Sequence, residues 1–151
     1  MAENALSTPK PILPICAAIY RPFAPLSYAF MRFCTGAIFI PHGMQKLLGG
    51  AAADKFVVAL GLADPAPWAG AMGILELAGG IMLALGLLTR PVALLFAAEL
   101  LAMIFAVNIH NGFAWSNGGI QYPLLLLALC LAALFRGGGR YSLDRLIGKE
   151  F

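Results

Sequence analysis

The chain has 151 residues, of which 61% are hydrophobic and only 11% are charged. Soluble domains average about 45–50% apolar and about 25% charged residues, so this chain has too few polar groups to cover a water-exposed surface. Its ten lysines and arginines against seven acidic residues give a net charge of +3. They lie at the ends of apolar segments rather than in one block, which argues against a nucleic-acid-binding protein. The composition indicates a membrane protein of one domain.

The chain begins with a proline-punctuated lead, residues 1–21, in which we expect a flexible or interfacial segment and no cleaved signal sequence. Residues 23–44 follow and are apolar except for Arg32. About 20 helical residues at 1.5 Å each cross the bilayer core. This segment is the first predicted transmembrane helix.

Three more apolar segments predict three more transmembrane helices. A polar connection with a short amphipathic turn near residues 55–60 precedes them, and the helices comprise residues 68–88, 92–109 and 120–135. The tight Thr-Arg-Pro turn at 89–91 makes the second and third helices antiparallel neighbours. The sequence therefore predicts an all-α membrane protein, with a four-transmembrane-helix bundle at residues 22–136 and a C-terminal tail at residues 137–151.

The positive charges outside the first helix are distributed unequally between the two sides of this bundle. The side of the termini holds seven, and the other side holds only Lys46 and Lys55. The seven are Lys10, Arg21, Arg90, Arg136, Arg140, Arg145 and Lys149. Positively charged loops stay in the cytoplasm, so we expect both termini to be cytoplasmic in a multi-pass protein of the bacterial inner membrane.

Three ionisable residues fall within the predicted helices: Arg32, Glu76 and Glu99. Each costs about 2.5–3.5 kcal/mol on membrane-insertion scales, so each needs a partner or a purpose. Their depths, counted from the cytoplasmic helix ends, are all about 12–18 Å, and we expect them to meet. Two interpretations stay open: an ion pair that fixes the packing of three helices, or a spare carboxyl that relays a proton or binds a polar head group.

A second group of polar residues gathers at the opposite end of the helices from the termini. Glu99, Met103, Ala106 and His110 recur at spacings of four, three and four, which predicts one helix face running from the midplane acid to an outer histidine. The alternative is that these residues only solvate loop ends beside a belt of interfacial aromatic side chains. Two histidines without a third clear ligand do not predict a metal site.

These two groups supply the candidate site residues. Histidine and carboxyl groups exchange protons, so the candidate catalytic residues are His42, Glu76, Glu99 and His110. The candidate ligand-binding residues are Arg32, Lys46, Met103, Gln121 and Tyr122.

Four ordered motifs give the chain a family resemblance. They are HGMQKLLGG at 42–50, ELAGGIMLALGLLTRPVAL at 76–94, NGG at 117–119 followed by QYPLLLL, and GGGRYSLDRLIG at 137–148. Together they resemble the DoxX family of small bacterial membrane proteins. The resemblance implies a four-helix membrane protein associated with redox processes, including a thiosulfate:quinone oxidoreductase subunit and proteins of oxidative and thiol stress. The family often carries a glutamate where this chain has Gln121, which puts that position's proton-carrying role in doubt here.

The chain has no recognisable Fe–S, haem, flavin or nucleotide motif, so we expect no cofactor within it other than a bound quinone.

The leading hypothesis is a redox-accessory protein that binds a quinone or a small sulfur compound and works with a partner oxidoreductase; whether it is itself an enzyme stays open. The alternative is a non-catalytic membrane scaffold or assembly subunit. A transporter is less favoured, because no broken helix pair or inverted repeat is visible. Expected partners are the lipid bilayer, the oxidoreductase and a second copy of the chain.

Overall fold

The computed structural model describes residues 12, 14–49, 57–61 and 65–149, and this part of the chain contains helices and no strands. Two short 3₁₀ turns, Asn108–Asn111 and Trp115–Asn117, lie in the loop before the fourth helix. The α-helices are α1 Pro14–Leu47, α2 Pro65–Leu85, α3 Thr89–Ala106, α4 Gln121–Arg136 and the short α5 Leu143–Ile147.

Three of these helices are long and apolar enough to cross a membrane, and the fourth is shorter. The three spans are Ala18–Leu47, Pro67–Leu85 and Thr89–Ala106, and the shorter apolar helix is Gln121–Arg136. The predicted all-helical, four-helix membrane bundle is confirmed. The side of the membrane on which the termini lie stays a prediction from the charges.

Helix α1 is longer at both ends than the sequence predicts. It begins at Pro14, continues through Pro22 and Pro25, and includes Lys46 in its last turn. Prolines are tolerated in membrane helices because neighbouring groups can satisfy the freed carbonyls, so they do not end this helix. Residues 1–11 of the lead and residues 50–56 of the connection after α1 lie outside the described residues. Residues 57–59 of the predicted amphipathic turn are helical.

Glycines allow α1 and α2 to pack backbone against backbone. A Cβ atom on Gly36 would collide with the carbonyl oxygen of Gly80, and one on Gly43 would lie 2.5 Å from the amide nitrogen of Leu77. These contacts leave no room for a side chain, as in small-residue interfaces between membrane helices. They also fix the antiparallel register, which places Gly43 beside Glu76.

A single apolar core joins this pair to α3 and α4. Phe39 of α1 stacks on Phe96 of α3, with ring centroids 3.8 Å apart and planes 8° from parallel. Leu100, Leu126 and Cys130 are buried around the two rings. Cys130 is a buried thiol in apolar surroundings, where cysteine packs as a small hydrophobic residue.

The C-terminal segment is anchored to the bundle. Arg32 donates hydrogen bonds from Nη1 to the carbonyl of Gly138 (2.8 Å) and from Nη2 to the carbonyl of Tyr141 (2.7 Å). The buried carboxylate of Asp144 accepts from the amides of Leu88 (2.7 Å) and Thr89 (3.0 Å) and from the Thr89 hydroxyl (2.7 Å). Asp144 therefore caps the start of α3, and the segment predicted as a tail closes the α2–α3 turn.

Candidate functional site

Three charged side chains from three helices meet inside the bundle. Nζ of Lys46 lies 2.7 Å from Oε1 of Glu76 and 3.2 Å from Oε1 of Glu99. The side chains are only 11%, 4% and 7% exposed, respectively. The second oxygen of each carboxyl group, Oε2, is buried and has no hydrogen-bond partner. The cluster thus holds two carboxyl groups for one ammonium, and one carboxyl is left over.

The sequence prediction that Arg32 pairs with Glu76 or Glu99 is wrong. Arg32 lies about four turns, or about 21 Å, before Lys46 on α1, and its two Nη atoms donate to backbone carbonyls of the C-terminal segment and of Ala84. The prediction took residue 23 as the helix start and assigned Lys46 to a loop. Because α1 extends from Pro14 to Leu47, Lys46 reaches the acids and Arg32 lies near the other end of the bundle. Arg32 is therefore a structural residue and no longer a candidate for ligand binding at this site.

A cavity of about 200 Å³ lies beside the charged cluster. Glu76, His42, Met103 and Tyr122 are among the predicted residues that line it. The apolar part of the wall comes from Phe39, Leu100 and Leu126, and the loop before α4 contributes Asn108, Trp115, Gly118 and Gly119. The cavity is thus mostly apolar, with a few polar groups, which is the usual character of a small-molecule site.

The polar groups of this cavity are rich in hydrogen-bond acceptors. Nδ1 of His42 lies 2.8 Å from the carbonyl of Ile38, and since a carbonyl only accepts, Nδ1 carries the proton. Nε2 of a neutral His42 is then an acceptor. Asn108 donates from Nδ2 to the carbonyl of Gly118 (2.6 Å), while its Oδ1 is buried without a partner. Together with Glu76, whose Oε2 has no partner, three residues that line the cavity each carry an acceptor atom.

The loop between α3 and α4 forms part of the cavity wall. Asn108 and Asn111 both donate to the carbonyl of Gly118, at 2.6 and 3.3 Å. Oε1 of Gln121 accepts from the amide of Trp115 (3.3 Å). The Asn-Gly-Gly motif at 117–119 thus serves to turn the loop back onto the bundle. The sequence did not predict Asn108 and Trp115 as cavity residues.

Besides Arg32, two predicted site residues belong to neither the charged cluster nor the cavity. His110 is exposed in the first 3₁₀ turn, and Gln121 is exposed and engaged with the loop backbone. The predicted face from Glu99 to His110 assumed one continuous α-helix. Instead α3 ends at Ala106, and Val107 is not helical (φ −124°, ψ −59°). The 3₁₀ turn that follows points its side chains in directions that differ from those of a continued α-helix. Met103 therefore lines the cavity but His110 does not.

No group of three or more His, Cys, Asp or Glu side chains that could hold a metal ion is found in the described residues. The fold and site define a small multi-pass membrane protein with a buried charged cluster beside a ligand-sized cavity. The family model described as DoxX matches residues 27–109, more than half of the chain. The chain belongs to the DoxX family.

Curated relatives agree with this assignment. A Bacillus subtilis (strain 168) protein named "Putative oxidoreductase CatD" is 36% identical over 120 residues, which cover 79% of this chain and 85% of the relative. The inner membrane protein YqjF of Escherichia coli (strain K12) is 32% identical over 126 residues, covering 80% and 91% of the two chains. The inner membrane protein YphA of the same strain is 29% identical over 132 residues, covering 80% and 90%. No solved structure matches this chain.

Proposed function

We propose that this protein is a membrane redox-accessory protein that binds the ring of a quinone, in its reduced quinol form, and works with a partner oxidoreductase. One observation carries the proposal: an apolar cavity of about 200 Å³ with three hydrogen-bond acceptors, beside a carboxyl cluster with one acid left over. The name of the Bacillus subtilis relative, which describes an oxidoreductase, agrees with a redox role.

The size and chemistry of the cavity support an aromatic diol over a small sulfur compound, the other ligand class that the sequence suggests. An apolar protein cavity of about 150 Å³ binds benzene, so the cavity is large enough for one six-membered ring. Phe39 and Trp115 line it and would contact the faces or edges of such a ring. The two hydroxyl groups of a quinol are donors and would pair with two of the three acceptors, in the proposed mechanism Nε2 of His42 and Oε2 of Glu76. The carbonyl groups of a quinone only accept and would not pair with them.

Oxidation of a quinol releases two electrons and two protons. In the proposed mechanism Nε2 of His42 accepts one proton and the carboxyl group of Glu76 accepts the other. Lys46 holds Glu76 and Glu99 in place by its two ion pairs, so a proton added to one acid leaves the ammonium paired with the other. The two electrons pass to the partner oxidoreductase, and in the reverse direction the same groups return the protons.

The charged cluster also favours a second candidate, a non-catalytic scaffold. Lys46, Glu76 and Glu99 come from α1, α2 and α3, and their ion pairs alone would hold these three helices together. In that case the cavity would carry no ligand, and the protein would act by docking other subunits.

Ligand retention separates the two candidates. We expect protein purified in mild detergent under reducing, anaerobic conditions to retain quinol. Organic extraction, followed by difference absorbance between the oxidised and the reduced extract, measures the amount retained. The substitution His42→Gln removes the imidazole acceptor Nε2 of a residue that lines the cavity and should reduce retention several-fold. The matched control is His110→Gln, which changes an exposed histidine outside the cavity and should retain the wild-type amount. Wild-type protein that is purified under these conditions free of quinol, and that copurifies with one stoichiometric partner, would support the scaffold function.

A further inference from the structure

A second pocket, of about 420 Å³, lies at the opposite end of the bundle from the cavity. It forms where α4 ends and the C-terminal segment folds back over the α2–α3 turn. Four cationic side chains line it: Arg136, Arg140, Arg145 and Lys149. Nothing in the proposed redox function uses this pocket.

The positive charge of the pocket is not neutralised from within the described part of the chain. Its one acid, Asp144, is buried, and both of its carboxylate oxygens accept hydrogen bonds from Leu88 and Thr89 at the start of α3. The ion pairs found among the described residues are those of Lys46, so none of the four pocket cations has a carboxylate partner there. The guanidinium of Arg136 packs over the ring of Tyr28, 4.3 Å from the ring centroid. This contact holds the charge of Arg136 at the wall of the pocket.

An apolar depression adjoins the basic pocket. The two share Arg140 and Ser142, and the depression is otherwise lined by Leu85, Tyr141, Leu143 and Leu146. Leu85 is the last residue of the apolar helix α2, so this surface lies where a membrane span ends. A concentration of positive charge beside apolar side chains at this depth complements an amphiphile with an anionic head.

We propose that this pocket binds the phosphate headgroup of an anionic membrane phospholipid. The phosphate lies among Arg140, Arg145 and Lys149, and the glycerol and upper acyl chains lie over Leu85 and Leu146. Arg32 and Asp144 hold the C-terminal segment in its folded position. The cations of the pocket are therefore in position even without a bound lipid. A bound lipid would therefore also hold this segment at the membrane surface.

Native mass spectrometry of the full chain tests this proposal. The protein is offered phosphatidylglycerol and phosphatidylcholine in equal amounts, and the wild type should retain phosphatidylglycerol several-fold over phosphatidylcholine. The substitution Arg145→Gln should reduce this preference, and Arg140→Gln/Arg145→Gln/Lys149→Gln should bring the ratio close to one. The control is Arg21→Gln, which removes an exposed cation of α1 outside the pocket and should keep the wild-type ratio. An unchanged melting temperature of Arg145→Gln shows that this variant is folded.

Three results would overturn the proposal. Equal retention of the two lipids by the wild type, or an equal loss of preference in Arg21→Gln and Arg145→Gln, would show that the pocket does not select the headgroup. Displacement of phosphatidylglycerol by excess inorganic phosphate would assign the pocket to a free anion. We expect phosphate to leave the lipid in place, because it lacks the acyl chains that contact the apolar depression.

Discussion

Replacement of Lys46 by methionine is the sharpest test of the buried charged cluster. The substitution removes the ammonium, keeps a linear side chain, and leaves Glu76 and Glu99 buried without a cation. Breaking a buried ion pair in this way costs about 3–5 kcal/mol of unfolding free energy. For a chain of this size about 1 kcal/mol corresponds to about 2–4 °C, so the melting temperature should fall by about 6–20 °C.

The distances from Lys46 to the two carboxylates predict which variants lose more stability. Glu99→Gln removes the more distant carboxylate and leaves the 2.7 Å pair between Lys46 and Glu76 intact, so it should cost about 1 kcal/mol or less. The triple variant Lys46→Met/Glu76→Gln/Glu99→Gln has no uncompensated charge and should recover much of the loss, which is a non-additive result. Arg21→Met removes an exposed cation from the same helix and should be neutral.

Thermal unfolding in detergent, followed by circular dichroism, measures these differences. A melting temperature of Lys46→Met equal to that of the wild type would show that the cluster does not form. A loss in Glu99→Gln as large as that in Lys46→Met would refute the assignment of Lys46 as the shared cation.

Three further predictions concern the bundle and its orientation. Asp144→Ala removes the cap of α3 and should lower the free energy of unfolding by about 1–3 kcal/mol, measured by thermal unfolding; a neutral effect would show that the C-terminal segment is not anchored. Gly43→Ala should destabilise the α1–α2 contact in the same assay, whereas Gly70→Ala, where a Cβ meets nothing within 4 Å, should not; equal effects would contradict the close packing. A fluorescent reporter fused after Phe151 should be active and a periplasmic phosphatase inactive, and the opposite result would reverse the predicted topology.

The sequence predicts the four helices because runs of apolar residues are a strong, local signal. It also identifies Glu76 and Glu99 as buried acids, since any charge in such a run is exceptional. It misses their partner because Lys46 lies at the edge of its run, where composition alone does not distinguish a helix end from a loop. The role of Asp144 depends on a contact 55 residues away in sequence, with Thr89, and no local pattern indicates it.

The residues of the cavity, too, could be predicted only in part from the sequence. Its predicted members His42, Met103 and Tyr122 lie on helices whose phase can be counted. Asn108 and Trp115 reach the cavity through a loop whose path depends on two 3₁₀ turns and on Gly118 in a left-handed conformation (φ +76°). The displacement of His110 from the predicted face has the same cause, because a helix that ends one turn early no longer keeps its period.

The fluorescence of Trp115 tests the proposed quinol site most directly. The chain has two tryptophans, so Trp68→Phe leaves Trp115, in the cavity wall, as the only one. Titration of this variant with a short-chain ubiquinol, kept reduced, should quench the fluorescence with saturation. Adding His42→Gln should weaken the affinity by about tenfold, the equivalent of about 1.4 kcal/mol for one hydrogen bond. Trp115→Phe, which retains only Trp68, should show little saturable quenching. Quenching that is linear and equal for both tryptophans, and unchanged by His42→Gln, would contradict the proposed site.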